Sequence, residues 1–261
     1  MSQQQRHLVI PDTQIREGDD FRFLDWIGKY ICDLRPNTVI HLGDHADMPS
    51  LSTHDHKGSK AFEGLRYTKD VEAAKEAMKV LLKPLKELQV KQKHQKQRPY
   101  IPLKILTLGN HENRIDRAIN NNPQLEGLIS VKDLKYDEDW KVYPFLQPIT
   151  VDGVVYSHYF PTGAMGRPCG TAQQMVSKLH QSCIAGHQQG RQVAYGRKAD
   201  GSMLTCIIAG SCYLHDESYM DVISNKHWRG VLVLNEVKGG HFDELFVSLS
   251  YLERKYGQKR T

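Results

Sequence analysis

The chain has 261 residues, of which 39% are hydrophobic and 25% charged, and a formal net charge of +5. That composition fits a soluble globular protein, and no apolar run approaches the roughly 20 residues that span a bilayer. The first residues, Met-Ser-Gln-Gln-Gln-Arg, lack an apolar signal core, so a cytoplasmic location is expected.

In chain order, residues 7–10 read as a buried strand. Phe21, Leu24, Ile27, Ile31 and Leu34 recur at helical spacing over 21–34, and Pro36 ends that helix. Residues 39–42 read as a second strand, and a strand-helix-strand unit of this length predicts a parallel pair with a right-handed crossover. Residues 48–64 form a polar loop in which His54 and His56 are expected to face solvent. Residues 66–90 read as one long helix with a stripe of Val71, Ala74, Met78, Leu81, Leu82, Leu85 and Leu88, kinked or split at Pro84. A charged excursion over 89–99 precedes a strand at 103–108 and a helix at 114–121.

From Val142 the runs become shorter and β-like. Residues 149–151 and 154–156 predict a hairpin around Asp152-Gly153. A helix over 170–179 follows, then strands at 184–185, 192–195, 204–209, 230–234 and 244–249, with Asp200-Gly201 and Lys238-Gly239-Gly240 as turns. One domain over 1–261 is expected, with α/β units first, a β-rich second half and a site between them.

The five cysteines, Cys32, Cys169, Cys183, Cys206 and Cys212, are an odd number without CxxC spacing, which argues against a disulfide framework or a zinc ribbon; most are expected to be reduced and buried. Basic residues cluster over 91–98 and 254–260. These are either a solvated loop and a frayed tail or contacts to a phosphate backbone.

The chemistry is concentrated at strand ends. Asp12-Thr-Gln14, Gly43-Asp44-His45, Gly109-Asn110-His111-Glu112, Ser157-His158 and Gly186-His187-Gln188-Gln189 each follow an apolar strand-like run. Five strand ends carrying Asp, Asn, His or Gln point to one metal site assembled from distant parts of the chain. A carboxylate such as Asp44 has lone pairs enough to bridge two cations. A mixed oxygen and nitrogen set suits Mn²⁺, Fe or Zn²⁺ better than Mg²⁺ or Ca²⁺.

In this order the blocks closely resemble the calcineurin-like metallophosphoesterase superfamily. That family's pattern runs Asp-x-His, Gly-Asp, Gly-Asn-His-Glu or Gly-Asn-His-Asp, a lone His, then Gly-His-x-His. The likeness spans residues 12–189, and the Gly-Asn-His-Glu block is its most specific part. It implies an α/β fold (α+β in some schemes): a four-layer α-β-β-α sandwich with two mixed central sheets and the metal site at the strand ends. It also implies a metal-dependent hydrolase of phosphoester bonds with two divalent ions, Mn²⁺ foremost and Fe, Zn²⁺ or Mg²⁺ as alternatives.

By the same resemblance Asp44 would bridge the two metals. Asn110, His158 and His187 would complete one, while Asp12, Gln14 and Gln189 would surround the other. Two metals roughly 3.5–4 Å apart would hold a hydroxide in line with phosphorus. His111 would lie beside them, stabilising phosphate charge or protonating the leaving alkoxide. Gln14 and Gln189 stand where the family has His, and both departures fall on one metal. That metal would then bind weakly, bind only with substrate, or be absent; the favoured outcome is a weaker, functional two-metal site.

His45 and Asp47 are candidates to line the pocket or to cap its loop, and Arg114 to bind a phosphate oxygen or to form a surface ion pair. Tyr159-Phe160-Pro161 would form a stacking wall or part of the core. The polar and aromatic stretch 211–219 is a candidate cover for the pocket, and Gly163, Gly166 and Gly170 mark an adaptable loop. The expected substrate is nucleic acid or a nucleotide, cleaved by a phosphodiesterase or nuclease of the small nuclease-like or bacteriophage type. A phosphomonoesterase on a nucleotide or phosphoprotein, and a non-catalytic nucleic-acid-binding module, are the alternatives.

Overall fold

The computed structural model describes residues 5–53, 62–162, 164–217 and 221–257. His54, Asp55, His56 and Gly163 lie outside the described residues, as do Ser218, Tyr219 and the end of the basic tail.

The first sheet is built from β1 (His7–Ile10), β2 (Thr38–His41), β3 (Leu103–Thr107) and β4 (Lys141–Tyr143), all parallel, extended by the antiparallel pair β10 (Gly230–Lys238) and β11 (His241–Ser248). Its strand order is β11-β10-β1-β2-β3-β4. The second sheet contains β5 (Ile149–Val151), β6 (Val154–Ser157), β7 (Cys183–Ala185), β8 (Gln192–Arg197) and β9 (Met203–Ile208), in the order β5-β6-β7-β9-β8. Both sheets mix parallel and antiparallel pairs.

Alternation along the strands sorts side chains into layers. Leu8 and Ile10 face outward with Leu106 against α1 (Arg22–Leu34) and α2 (Tyr67–His94), meeting Phe23, Leu24, Ile27 and Leu81. Val9, Ile40 and Ile105 face inward and meet Val154, Tyr156, Ile184 and Ile207 of the second sheet. On its far side Cys183, Cys206 and Ile208 pack on Ala172 and Met175 of α4 (Ala172–Leu179). The result is the expected four layers. Four cysteines are buried, Cys32 is half-buried, and all five are free thiols. Among the described residues no helix is long and apolar enough to cross a membrane.

Most strands, α1, α3 (Arg114–Asn121) and the Asp152-Gly153 hairpin lie where the sequence pattern puts them. Besides the added edge strand β4, the structure differs at three places. First, α2 does not stop near residue 90 but runs through Pro84 to His94, 28 residues or about 42 Å. Gly28 makes room for Pro84: a Cβ there would lie 2.3 Å from the Leu81 carbonyl oxygen and 2.9 Å from Pro84 Cγ.

Second, the basic run 91–98 is in good part the last turn of this helix, where Lys91, Lys93 and His94 sit favourably at the negative end of the dipole. Gln92 Oε1 accepts Tyr100 N at 2.9 Å and Tyr100 OH donates to Pro36 O at 2.6 Å, which places the run at the starting ends of β2 and β3. Third, the chain does not fray directly after β11. Residues Leu249–Leu252 form a short helix, α5, and Glu253–Gly257 a π-turn whose Tyr256 hydroxyl donates to Asp33 of α1 at 2.7 Å.

The α1–α2 contact yields a test. Alanine is intrinsically better than glycine in a helix by about 1 kcal/mol. Overpacking at Gly28 outweighs that, so Gly28→Ala is expected to lower unfolding stability by about 2 kcal/mol in chemical denaturation. A stabilised variant would show that the two helices have slack at this point.

Candidate metal centre

β1, β2 and β3 run parallel in one sheet, and β6 and β7 run parallel in the other. Their carboxyl ends deliver Asp12, Asp44, Asn110, His158 and His187 to one edge of the sandwich, as parallel strands of an α/β sheet do. Backbone bonds join the loops. Thr13 N and Gln14 N donate to Asp44 O at 3.1 and 2.8 Å, and Gly186 N donates to His158 O at 2.9 Å. Gln14, Asp44 and His187 adopt left-handed backbone conformations, with φ of 42°, 48° and 65°. Such outliers cost of order 1–3 kcal/mol each and persist only where surrounding bonds enforce them. Two glycines allow close approach: a Cβ on Gly109 would lie 2.0 Å from Asp44 Oδ1, and one on Gly186 2.5 Å from Asp12 Oδ1.

Four donor atoms converge between the sheets. His158 Nδ1 donates to Leu42 O at 2.9 Å, which turns Nε2 inward, 2.8 Å from Asn110 Oδ1 and 3.3 Å from Asp44 Oδ2. His187 Nδ1 is 2.7 Å from the same Asn110 oxygen. Asp44, His158 and His187 each offer an atom within 4.8 Å of the others, which makes them a group able to hold a metal ion. The charges favour a cation. Burial pushes the Asp44 carboxyl up, but His111 and His158 hold it well below the usual carboxylate range. Burial lowers His158, yet Asp44 overrides it and raises the imidazole to about 9, so a proton occupies this spot when nothing else does. Burial and the neighbouring His158 push His187 down to about 4, leaving it neutral and able to ligate.

Asp12 and Gln14 lie beside this group. Asp12 Oδ1 accepts His187 N at 3.0 Å, whereas Asp12 Oδ2 and Gln14 Oε1 are buried without a hydrogen-bond partner. Burial raises the Asp12 carboxyl to about 7, with Asp44 adding to the rise and His158 opposing it. Two buried acceptors facing no donor are what a second cation would satisfy. Gln189 follows His187 in the same loop.

His111 sits at the rim. Its backbone N donates to Asp44 Oδ1 at 2.8 Å, and its Nε2 lies 3.7 Å from Asp44 Oδ2. Its Nδ1 pairs with Asp47 Oδ1, so Nε2 is the atom turned to the centre. Burial lowers the imidazole, but Asp44 and then Asp47 raise it further, and it ends above its ordinary value. Arg114 braces this arrangement. Its Nη1 donates to the carbonyls of Asp47 and Met48 at 2.9 and 3.3 Å, and its Nη2 is 3.3 Å from His111 Nε2. It is neither an exposed ion pair nor a free phosphate ligand.

His45, a candidate for substrate contact, instead faces the core. It is fully buried, and its Nε2 is 3.1 Å from Ala74 O, which requires a proton there. Its Nδ1 must then accept from Thr13 Oγ1 at 2.8 Å, and Thr13 in turn accepts from His41 Nε2 at 3.3 Å. The positive φ of Asp44 turns the next side chain inward, which no residue pattern signals.

Glu112 is the residue with the largest structural role that the sequence reading leaves without one. It is fully buried, and its two oxygens accept four backbone N–H groups: Asp44 and Gly109 at 2.9 Å each, His45 at 2.7 Å and Ala46 at 3.0 Å. A carboxylate is acceptor-only and suits a nest of donors. Its signal is its place three residues after Gly109 in the most specific block.

The calcineurin-like phosphoesterase family matches over residues 6–181, two-thirds of the chain, and the chain belongs to that family. The family is dinuclear and metal-dependent, and this protein is accordingly a metal-dependent phosphoester hydrolase. No curated protein matches the chain. Among solved structures, a conserved uncharacterized Streptococcus pneumoniae protein, described as a predicted phosphoesterase, aligns with a TM-score of 0.40 at 9% identity over 96% of this chain and 92% of its own. A Thermus thermophilus protein aligns with a TM-score of 0.35 at 8% identity, over 95% and 100%.

Two outcomes are expected. Glu112→Gln places an amide NH₂ against backbone donors, and is expected to cost about 3 kcal/mol in denaturant unfolding and to weaken Mn²⁺ binding in titration calorimetry. Unchanged affinity would show that Asp44 is held by other means. Second, burial depresses His45 from its ordinary 6.5 to about 4. A depressed histidine contributes stability that is complete above pH 6.5 and lost as pH falls toward 4, because the unfolded chain takes up the proton first. The stability of wild type relative to His45→Gln is therefore expected to fall by about 2 kcal/mol between pH 7.5 and 5. A flat difference would mean that His45 titrates normally.

Proposed function

We propose that this chain is a single-domain phosphodiesterase acting on nucleic acid or nucleotides, with two divalent ions, Mn²⁺ foremost. Asp44, Asn110, His158 and His187 would hold one ion; Asp44, Asp12, Gln14 and Gln189 would surround the other more weakly. The ions would supply Lewis acidity and a nucleophile ionised near neutral pH.

What supports the diester reading is that, among the described residues, Arg16, Arg114 and Arg191 are each engaged within the protein. Arg16 is paired with Asp47 and Glu217, Arg114 holds backbone carbonyls through Nη1 and faces His111 through Nη2, and Arg191 lies over Trp228 and Phe246. A dianionic monoester would ask for a free guanidinium; a monoanionic diester asks for less. His111 would be the general acid: its Nδ1 lies against Asp47 Oδ1, and its Nε2, once protonated and with Arg114 Nη2 turned aside, would pass a proton to the leaving oxygen as the P–O bond breaks. An aromatic wall supports a nucleotide substrate. The Tyr159 ring lies 4.9 Å from that of His187 and 5.5 Å from that of Phe145, half-buried beside the centre. The run 91–98 takes no part in this reading, because it lies at the opposite ends of the strands.

The test uses bis(p-nitrophenyl) phosphate, p-nitrophenyl phosphate and a dinucleotide with Mn²⁺. The diesters are expected to turn over and the monoester to lag, with chelator abolishing turnover. His111→Ala is expected to lower kcat on the dinucleotide about 100-fold with metal content unchanged. Faster monoester turnover, or no turnover with Mn²⁺, Fe²⁺, Zn²⁺ or Mg²⁺, would refute it. A metal titration that ends at one ion under turnover conditions would remove the second site.

A further inference from the structure

Two charged residues outside the centre are joined to it by an unbroken series of contacts. Arg16 lies two residues beyond Gln14. Its Nε pairs with Asp47 Oδ2, and its Nη2 donates to Glu217 Oε2. Glu217 comes from the segment between β9 and β10 and is 2% exposed. Its other oxygen is 3.0 Å from His215 Nε2, and the His215 ring stacks on Tyr213 with centroids 4.4 Å apart and planes 9° from parallel. Asn225 clamps the Glu217 backbone: its Oδ1 accepts Glu217 N at 2.8 Å and its Nδ2 donates to Glu217 O at 3.0 Å. Burial pushes the Glu217 carboxyl up, and the bonds from His215 and Arg16 more than reverse this, so the carboxylate is ionised.

Resting on the phosphodiesterase reading above, we propose that Arg16 and Glu217 are positioning residues that aim His111 by fixing the plane of the Asp47 carboxylate. One Asp47 oxygen holds His111 Nδ1 and the other holds Arg16 Nε. The terminal torsion of an aspartate is broad, so a carboxylate gripped at one oxygen can swing. Gripping the second oxygen removes that freedom. A guanidinium can do this only if its own stem is held, and its planar fork lets one head serve two carboxylates. The Arg16 side chain is 26% exposed, so without Glu217 its head can turn to water. The stretch 211–217 thus reaches the centre through charge, and Glu217 and His215, from the second half of the chain, set the direction of a proton donor in the first half.

Leaving groups of different basicity separate positioning from general structural support. An aryloxide departs without a proton; the alkoxide of a dinucleotide does not. Glu217→Gln and Arg16→Lys are each expected to lower kcat on the dinucleotide about tenfold, with KM and the rate on bis(p-nitrophenyl) phosphate within about twofold of wild type. In a His111→Ala background, Glu217→Gln is expected to add no more than about twofold, since both act through the same proton. Equal losses on both esters, or a full additive loss in the double variant, would overturn the proposal. If Glu217→Gln does not fold, Arg16→Lys decides alone. A second readout is independent of turnover: the downfield Nδ1–H proton resonance of His111, assigned by its loss in His111→Gln, is expected to broaden in Glu217→Gln. Its persistence unchanged would overturn the positioning role. Wild-type protein inactive on both esters would instead refute the phosphodiesterase reading.

Discussion

The buried carboxylate of Glu112 is the contact on which the centre depends. Four backbone N–H groups from two loops converge on its oxygens, and two of them belong to Asp44 and Gly109, the residues that bring a metal-type ligand and the Gly-Asn-His-Glu block face to face. A charge buried this deeply is tolerated only because every oxygen is bonded. In return it holds the left-handed turn at Asp44, which would otherwise relax. Asp44 can then face His158 and Asn110, and His45 is turned the other way into the Thr13–His41 pair. One acidic residue that never touches an ion thus decides which neighbouring side chains can.

The electrostatics of the centre follow from that placement. Asp44 and Asp12 are both fully buried, yet they behave differently. Asp44 has His158 and His111 beside it and keeps its charge, whereas burial dominates at Asp12 and its carboxyl is raised to about 7. The histidines divide in the same way. His158 faces Asp44 and is raised; at His187 burial and the neighbouring His158 outweigh the pull of Asp44, and at His45 burial lowers the ring. Groups of identical type are pushed apart by their surroundings, which is how one small volume holds ligands, a proton donor and structural histidines together.

Much of this was visible in the residues, for identifiable reasons. The five ligand-bearing loops follow short apolar strands, so the hydrophobic pattern places them and glycine marks the turns. What stayed hidden depends on geometry that no local pattern carries. Lys141–Tyr143 is a three-residue, partly exposed edge strand with no periodicity to detect. The passage of α2 through Pro84 depends on Gly28 of another helix. The direction of His45 follows from one positive φ angle. The Arg16–Glu217 pair joins residues 201 apart in sequence and is specified by packing of the last strands. Local chemistry was legible; the long-range ion pairs that orient it were not.

In the proposed two-ion centre the halves would be unequal, and the paired glutamines would be the reason. Around Asn110 the donors are two imidazoles, an amide oxygen and a carboxylate, a set that favours a borderline transition metal. On the Asp12 side the available atoms are oxygens of a carboxyl and of the Gln14 amide, a harder and less basic set. An ion entering there must displace the Asp12 proton, which the free carboxyl holds to near neutrality, so its binding would strengthen as pH rises. An ion on the Asn110 side displaces a proton from His158, held even more tightly, but recovers it through two imidazole nitrogens and the ionised Asp44. Proton competition therefore acts on both ions, and the hardness of the ligands is what would make the proposed second ion the weaker. Replacing Gln14 or Gln189 by histidine would change that hardness and leave the Asp12 proton in place.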